Sequence, residues 1–528
     1  MLSGLPTISK TGSPITMSGG VTLLSPDTYN KLQVYSDNSS RASSPHYVHD
    51  LQIDEDDDDE LLYHTQSTAQ KILWGLLYTV AMLTSLYFFI VSIKLIDSGF
   101  TLALGCNAKS AFTIADNPLA GLVIGTVATA LLHSSSTVTS ITVALVGTQG
   151  MTIRQGVYIV MGANVGTCVT CIIVAFGQVQ SRSRFQRAME AATVHTMFNI
   201  WSVIVLFPLE IIAHPLERLS VALSTAKTSG GAFSSPVDVM VTPFTDLLIV
   251  VDKKTIFAVA AGKEQCTSGL SLLAGGVFSG TGLSDGKVGA ITVVLGFVLL
   301  ASSLILFVQM LAKVFLGPAK VLVSRLLAFN GYVNIIVGAL ITFVVQSSTV
   351  VTCTLTPMAG LGIFTLDQVY PLILGTNVGT CGTALLASLV VGETKAVAVA
   401  LVHLWFNVFG IVLFYPVPIT RGPILSWARS MAFFSASWIV VGLIFVASTF
   451  LIVPGVLLGL EQLCTSRNGA LQTLGWAISG LGVISVAGGL FWYLCRGGRN
   501  WWHVFLELKC SEREERRRRD ETAMLSEV

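Results

Sequence analysis

The segment Gly162-Ala163-Asn164-Val165-Gly166-Thr167-Cys168 returns later in the chain as Gly375-Thr376-Asn377-Val378-Gly379-Thr380-Cys381. Around it, residues 124–177 align with residues 337–390 at a constant offset of 213, with 16 identities in 54 positions and no gap. Shared composition does not produce shared order over such a length. The chain therefore contains two copies of one structural unit.

Two further motifs belong to this repeat. The alignment places His133-Ser134-Ser135 opposite Gln346-Ser347-Ser348. Beyond the gapless part, His195-x-x-Phe198-Asn199 is echoed by His403-x-x-Phe406-Asn407. Polar residues thus recur at matching places in both copies, which marks them as candidates for a shared site.

The composition shows what surrounds the repeat. Of 528 residues, 52% are hydrophobic and only 12% are charged, against about 25% charged in a soluble globular protein. Residues 118–153 contain no Asp, Glu, Lys or Arg, and residues 326–366 contain none either. Apolar runs of this length predict membrane spans. We therefore expect an all-α polytopic membrane protein.

The apolar runs predict about eight full transmembrane spans. They lie at 72–93, 155–181, 191–209, 288–317, 368–392, 396–420, 431–460 and 470–495. The runs at 118–153 and 326–366 are too long for one ordinary span. We expect each to form a re-entrant hairpin that enters and leaves on the same side.

Orientation follows from Lys and Arg in short loops. A basic loop at 182–187, the 313–325 loop, Arg421 with Arg429, and the C-terminal tail all favour the cytoplasm. One crossing at 288–317 then separates the two copies and makes them inverted repeats, an architecture typical of secondary transporters. The expected organisation is a disordered cytoplasmic tail (1–70), a first span (72–96), transport repeat 1 (118–213), an extracellular segment (214–287), a linking span (288–317), inverted transport repeat 2 (331–420), two C-terminal spans (431–495) and a cytoplasmic tail (496–528).

Hydroxyl groups crowd both hairpins. Ser134, Ser135, Ser136 and Thr137 lie in the first, and Ser347, Ser348 and Thr349 follow Gln346 in the second. Hydroxyls can accept from one side and donate to the other, so they suit both a hard cation and an oxyanion. Small polar residues also mediate ordinary helix packing, but two symmetric clusters favour a binding site.

The two Gly-x-Asn-Val-Gly-Thr segments are candidates for a helix break. Their glycines and amide oxygens suit a segment that exposes backbone groups to an ion. Asn164, Thr167, Asn377 and Thr380 would then coordinate or support the ligand. His195 and His403 are more often hydrogen-bonded linkers between helices than ligands.

Other functions find less support. A net charge of +1 gives no basic field for nucleic acid. No nucleophile–base pair or metal cluster is evident, so we expect neither an enzyme nor a cofactor. Cys168-Val169-Thr170-Cys171 lies in an apolar run and is interpreted as packing. The C-terminal Ser526-Glu527-Val528 fits a PDZ-domain ligand.

The sequence resembles the type II sodium-dependent phosphate cotransporters over roughly residues 70–495. The motifs of both hairpins are part of this resemblance, and several further motifs add to it. These motifs are Phe185-Gln186-Arg187-Ala188, Ala192-Thr193-Val194-His195, Phe207-Pro208-Leu209-Glu210, Thr242-Pro243-Phe244-Thr245 and Asp252-Lys253-Lys254.

The resemblance implies sodium-driven import of inorganic phosphate across the plasma membrane, apical in some cells. The Ser-rich hairpins would contact both ligands. A neutral pocket holds phosphate only when cations offset its charge, so the two ligands become mutually dependent.

Three departures from the family pattern are visible. His133 stands where the family's first hairpin has Gln, which predicts pH-sensitive transport. Thr196 stands where the resemblance implies Asp in electrogenic members, so electroneutral coupling is favoured. The outer segment has one cysteine, Cys266, which could pair with Cys106 or Cys464. The alternatives are a transporter of another oxyanion, such as arsenate or sulfate, or a non-transporting membrane scaffold.

Overall fold

The structure is a computed structural model. It describes residues 68–104, 117–147, 151–224, 236–252, 271–314, 330–391 and 393–496, with residues 255 and 259 and a discontinuous set between 498 and 519. Of the predicted tails (1–70 and 496–528), residues 1–67 and 520–528, with the expected PDZ ligand Ser526 and Val528, lie outside the described residues.

Helices make up nearly all of the described chain. In order they are α1 (Thr68–Leu104), α2 (Pro118–Leu132), α3 (Ser135–Gly147), α4 (Ile153–Gly166), α5 (Cys168–Phe176), α6 (Arg182–Ala213), α7 (Pro215–Leu223), α8 (Pro236–Leu248), α9 (Asp285–Val314), α10 (Gly331–Val345), α11 (Ser348–Gly360), α12 (Leu366–Val391), α13 (Thr394–Phe414), α14 (Pro418–Ser437), α15 (Ile439–Ala447), α16 (Val453–Cys464) and α17 (Gly469–Cys495). A two-stranded antiparallel sheet, β1 (Val250–Val251) with β2 (Leu273–Gly275), follows α8.

Eight helical segments in the described residues are long and apolar enough to cross a membrane. They are Ile72–Ala103, Ile153–Phe176, Arg182–Ala213, Asp285–Val314, Leu366–Leu386, Thr394–Phe414, Ile439–Cys464 and Gly469–Tyr493. Each is at least 21 residues long, enough for the roughly 20 that a span needs. The predicted all-α polytopic class is confirmed.

Both uncharged runs form a pair of short helices. Helices α2 and α3 have 15 and 13 residues, and α10 and α11 have the same two lengths. Every boundary in the second pair lies 213 residues after its counterpart in the first. The repeat seen in the sequence is therefore a repeat of secondary structure. We call α2–α3 the first hairpin and α10–α11 the second hairpin.

Glycines let each hairpin pack closely on the helix that follows it. A Cβ at Gly162 of α4 would collide with the carbonyl oxygen of Leu122, and one at Gly125 of α2 with that of Ile159. In the second copy, a Cβ at Gly375 of α12 would collide with the carbonyl oxygen of Ile335. Gly121, one turn before Gly125, belongs to the same contact, since a Cβ at Gly121 would lie 2.9 Å from Tyr158 Cβ.

The segments between spans differ from the sequence prediction in two places. Arg182, Arg184 and Arg187, predicted as a loop, lie in the first turns of α6. Arg421 and Arg429 lie on α14, a separate helix that ends before Trp438. Trp438 has an extended backbone (φ −143°, ψ 108°), and the span begins after it, at Ile439 rather than Met431. In both cases the clustered arginines suggested a loop, whereas the structure places them in helices.

The buried core joins the two hairpins. One apolar cluster includes Val169 and Ile172 of α5 together with Val350 and Cys353 of α11. Partly buried Ala130 of α2 packs against the same cluster. Helix α5 therefore shares a core with both hairpins and fixes where their polar ends lie.

Candidate functional site

Each hairpin reverses at a residue with a left-handed backbone. His133 has φ 53° and Gln346 has φ 57°, at equivalent positions of the repeat. Left-handed conformations are uncommon for residues other than glycine and often mark functional sites. The turns of the two hairpins therefore lie at His133 and at Gln346.

A serine caps the helix that leaves each tip. The Oγ of Ser134 accepts from the backbone N–H of Thr137 at 3.2 Å, and the Oγ of Ser347 accepts from that of Val350 at 3.3 Å. Both are N-cap bonds. Helices α3 and α11 thus begin at Ser135 and Ser348, directly after the capping serines. A helix N-terminus offers backbone N–H groups and a partial positive charge to an anion.

Helix α5 contacts both hairpins through neighbouring residues. The hydroxyl of Thr170 lies 2.8 Å from His133 Nδ1 in the first hairpin. The next residue, Cys171, donates to Thr352 Oγ1 in the second hairpin at 3.0 Å. Consecutive Cα atoms are about 3.8 Å apart. The two hairpins are therefore brought to one place in the protein.

Hydroxyls of the first hairpin form a chain that ends on a carboxylate. Ser134 Oγ lies 3.2 Å from Ser136 Oγ and 2.9 Å from Thr137 Oγ1. Thr137 Oγ1 donates to Asp97 Oδ1 of α1 at 3.0 Å. Ser135 is buried, while Ser134, Ser136 and Thr137 are half-buried. The predicted hydroxyls of the first hairpin lie together, and the carboxyl group of Asp97 lies beside them.

The second hairpin presents donors. Gln346 Nε2 is buried and has no hydrogen-bond partner among the described residues. Ser348 and Thr349 are buried at the start of α11, and Ser347 is half-buried. An amide N–H₂ and hydroxyl groups at a helix N-terminus are groups that bind an oxyanion.

The two asparagines of the Gly-x-Asn-Val-Gly-Thr segments are hydrogen-bonded across the repeats. His403 Nε2 lies 3.2 Å from Asn164 Oδ1, and His195 Nε2 lies 2.8 Å from Asn377 Oδ1. Asn407 also donates to Asn164 Oδ1 at 3.2 Å. The interpretation of both histidines as linkers between helices agrees with this geometry. Each copy supplies an acceptor to the other copy's histidine.

The expected helix break at these segments is not found in the second copy, where α12 runs unbroken from Leu366 to Val391. In the first copy, α4 passes into α5 at Thr167, whose backbone stays helical (φ −56°, ψ −29°). The reason is that the glycines serve helix contact rather than backbone freedom. Thr167 and Thr380 each donate to the carbonyl four residues earlier, at 2.9 Å. Thr196 is buried in α6 and donates to Ala192 at 3.4 Å.

Several polar residues of the site region escaped the sequence analysis. Asp97 is 5% exposed near the end of an apolar span. A single acidic residue in an apolar run is the sequence feature that could have identified it. Thr129 and Thr342, equivalent residues one turn before each tip, have buried hydroxyls without a described partner. The same holds for both amide atoms of Gln178, which lie against Gly360. In the sequence these threonines and this glutamine look like ordinary helix residues, so only their burial in the structure identifies them as candidate site residues.

The cysteines form no disulfide within the described residues. Cys168, Cys171, Cys353, Cys381, Cys464 and Cys495 are free thiols. The expected pairing of Cys266 with Cys464 is therefore not formed, and Cys106 and Cys266 lie outside the described residues. The Sγ atoms of Cys171 and Cys353 are 3.9 Å apart, which places them in van der Waals contact between α5 and α11.

Comparison with known proteins places this architecture in a family. The family model described as Na+/Pi-cotransporter matches residues 88–225 and 298–447, which include both hairpins. Sodium-dependent phosphate transport protein 2B of Homo sapiens is 34% identical over 473 residues, covering 76% of this chain and 68% of that protein. Sodium-dependent phosphate transport protein 2A of Ovis aries is 36% identical over 439 residues, covering 73% of this chain and 68% of that protein.

No solved structure matches this chain. The matched ranges and the relatives support the resemblance inferred from the hairpin motifs, and they set the chain among transporters rather than enzymes. With eight candidate spans, it is a multi-pass membrane protein, and it belongs to the Na+/Pi-cotransporter family.

Proposed function

We propose that this protein is a secondary active symporter that imports inorganic phosphate together with sodium by alternating access. The phosphate and sodium site lies between the two Ser-rich hairpins, among Ser134, Ser135, Ser136, Thr137, Gln346, Ser347, Ser348 and Thr349. The observation that carries this proposal is the contact of Thr170 and Cys171, neighbours on α5, with opposite hairpins.

The chemistry of the two tips suits phosphate and sodium. Phosphate oxygens can accept from backbone N–H groups at the starts of α3 and α11 and from Gln346 Nε2. Hydroxyl oxygens turned toward the first tip can coordinate a hard cation. Because burying an uncompensated anion costs several kcal/mol, phosphate binding requires sodium to be present. Coupling of the two ligands follows from charge compensation.

The paired architecture supports alternating access. Two equivalent hairpins meet at one site, and inverted repeats in secondary transporters rock about such a site. Buried His–Asn bonds join the copies at His195–Asn377 and His403–Asn164. In this proposal both tails are cytoplasmic, segment 214–287 is extracellular and the protein resides in the plasma membrane, apical in polarised cells. Any PDZ partner would bind the C-terminal Ser526 and Val528.

The test is uptake of radiolabelled phosphate by cells that express the full chain, in sodium and then in choline. We expect uptake to collapse in choline and to return with sodium. Ser135→Ala and Ser348→Ala should each reduce uptake at least about tenfold, the effect of about 1.4 kcal/mol of lost ligand contact. Ser302→Ala is the matched control, since Ser302 is exposed on α9 and donates only to carbonyls of its own helix.

The outcomes separate the alternatives. Sodium-dependent uptake of sulfate or arsenate without phosphate uptake would identify a different oxyanion. Absence of any uptake by protein shown to be at the cell surface would favour a membrane scaffold. Sodium-independent phosphate uptake would contradict the coupling and leave the anion site standing.

A further inference from the structure

We propose that Glu210, His214 and Glu217 form a zinc site where α6 passes into α7. One ligand atom from each of the three side chains lies within 4.8 Å of the other two. The three residues belong to neither hairpin, so this site is separate from the proposed phosphate and sodium site. The sequence does not reveal it, because the ligands come from a helix end, a turn and the next helix.

The turn between the two helices brings the three residues together. Helix α6 ends at Ala213, and α7 begins at Pro215. His214 between them has a left-handed backbone (φ 51°, ψ 43°), which is uncommon for residues other than glycine. Its N–H donates to the carbonyl of Glu210 at 3.1 Å. The chain therefore changes direction at a single residue and places Glu217, in the first turn of α7, beside the end of α6.

Glu210 is held in a fixed position. It is 1% exposed, and its two carboxylate oxygens accept from the backbone N–H groups of Leu216 at 2.8 Å and Glu217 at 2.9 Å. These bonds satisfy donors in the first turn of α7 and fix the orientation of the carboxylate. Each oxygen keeps a lone pair for a further partner. A buried ligand that is oriented by hydrogen bonds is typical of metal sites.

The imidazole of His214 is the second, independent observation. Its Nδ1 atom is buried and has no hydrogen-bond partner among the described residues. The same atom lies 3.7 Å from Glu217 Oε2, which is beyond hydrogen-bond distance. A polar atom that is shielded from water without a partner is costly. A metal ion between the two side chains would satisfy the nitrogen and the carboxylate together.

The donor set favours zinc over calcium or magnesium. One imidazole nitrogen and two carboxylate oxygens are ordinary ligands of Zn²⁺, whereas Ca²⁺ and Mg²⁺ take oxygen ligands. Metal–ligand bonds of about 2.0–2.2 Å place the ligand atoms of a tetrahedral zinc ion about 3.4 Å apart. The separation of 3.7 Å between His214 Nδ1 and Glu217 Oε2 already approaches that value. Water would complete the fourth position.

Two of the three ligands can move to close the site. The side chains of His214 and Glu217 are 21% and 20% exposed, so an ion can reach them from solvent and their rotamers can adjust. Glu210 provides the fixed ligand. In the proposed topology this end of α6 is extracellular, so the metal would arrive from outside the cell.

Arg154 of α4 competes with the metal for Glu217. Its Nε donates to Glu217 Oε2 at 2.9 Å, and this is the oxygen that lies near His214 Nδ1. A guanidinium and a zinc ion repel each other at one oxygen. Capping of α7 and pairing with Arg154 account for the two carboxylates, but they leave the buried nitrogen of His214 without a role. Removal of Arg154 therefore distinguishes a metal site from an ion pair.

The experiment measures the Kd of Zn²⁺ for the purified full chain in detergent, after metal is removed with a chelator and accessible thiols are alkylated. We expect His214→Gly and Glu217→Gln each to raise that Kd at least about tenfold, since loss of a ligand's outer partner alone weakens metal binding about 10–100-fold. Glycine adopts the left-handed backbone of position 214 readily. Asp367→Asn should leave the Kd unchanged and is the matched control, because Asp367 pairs with Arg429 at 3.6 Å outside the cluster.

Arg154→Met should change zinc binding in the opposite direction. We expect it to lower the Kd about threefold, the size of effect that a half-exposed ion pair has. Thermal unfolding of each variant without metal checks that the fold is kept. Glu210→Gln is not used, because Glu210 also accepts the first N–H groups of α7. An unchanged or higher Kd in Arg154→Met would overturn the place of Glu217 in the site.

The absorption spectrum of bound Co²⁺ identifies the donor atoms. Cobalt in place of zinc should give the weak visible bands of nitrogen and oxygen ligands, and His214→Gly should lose them. A strong charge-transfer band from thiolate to cobalt would place the metal on cysteines and overturn the proposal. Wild-type protein that binds no zinc would overturn it too, as would unchanged binding in His214→Gly and Glu217→Gln. Because these measurements involve no transport, their failure is distinct from a failure of the proposed function.

Discussion

The two hairpins share a backbone and differ in their electrostatics. Both consist of helices of 15 and 13 residues joined at a left-handed residue, and both have a serine cap. The first tip carries His133 and reaches Asp97 through Thr137. The second tip carries Gln346, whose amide nitrogen has no described partner, and Val350 in place of Thr137. The same backbone arrangement thus presents different chemical groups in the two hairpins, and the difference arises from a few side chains at the tips.

The largest expected effect tests what the hairpins have in common. Gly162→Val and Gly375→Val would each drive a side chain into a backbone carbonyl of the first helix of the hairpin, which rigid backbones cannot relieve. We expect both variants to lose nearly all folded protein at the surface, because such overpacking costs several kcal/mol. The measurement is surface biotinylation followed by thermal unfolding in detergent.

Gly482→Val in α17 is the control, since nothing lies within 4 Å of its Cβ position. It should reach the surface at nearly the wild-type level. If only one of the two repeat glycines proved intolerant, the two hairpin–helix contacts would not be equivalent.

The next effect separates the copies through their asparagines. Asn164 Oδ1 accepts from both His403 and Asn407, whereas the described donor to Asn377 Oδ1 is His195. Asn164→Ala should therefore destabilise the protein more than Asn377→Ala, by about 3 against about 2 kcal/mol, because each buried group left unpaired costs about 1–3 kcal/mol.

Thermal unfolding of purified protein measures both losses. A double-mutant cycle on His195→Ala and Asn377→Ala should give a coupling energy of about 1 kcal/mol. Equal losses for the two asparagines would show that the second donor to Asn164 contributes nothing.

A smaller effect concerns the tip residues themselves. His133→Gln would make the first tip resemble the second and remove a group that gains a positive charge in acid. His133 is 5% exposed, and burial disfavours the charged form of an imidazole. We therefore expect the uptake profiles of wild type and His133→Gln to superimpose as pH drops from about 8 to about 6. Gln346→His is the reciprocal variant. A steeper fall of wild-type uptake than of His133→Gln uptake over that range would contradict this expectation and show that His133 gains a proton there.

The smallest effect comes from adding a hydroxyl to the second hairpin. Val350→Thr restores there the residue type found at position 137, at nearly constant volume. Val350 is buried against α5, so an added hydroxyl without a partner should lower stability by about 1–2 kcal/mol. Sodium dependence should stay unchanged, because Asp97 bonds Thr137 of the other hairpin. A raised sodium affinity would show that the second tip also receives a cation.

Much of the fold could be predicted because the repeat and the apolar runs each extend over many residues of the sequence. The offset of 213 located both hairpins, and their helices begin and end at equivalent residues. A helix break was expected at the segments around Asn164 and Asn377, and the backbone there stays helical. Glycine permits a broken helix and a close helix contact alike, and the sequence does not distinguish the two. Asp97 was missed because its importance depends on Thr137, 40 residues away, and only the folded chain brings them together.

The crossed bonds between the copies have a consequence for biosynthesis. The acceptor of His195, Asn377, lies 182 residues later in the chain, and His403, the partner of Asn164, lies 239 residues after it. At about 5–20 residues per second, the ribosome needs roughly ten to forty seconds to make the first of these partners. During that interval His195 Nε2 and Asn164 Oδ1 lack these partners in the second half of the protein. A nascent chain halted before residue 377 therefore exposes to lipid the groups that membrane quality control would recognise, so partial products should be short-lived.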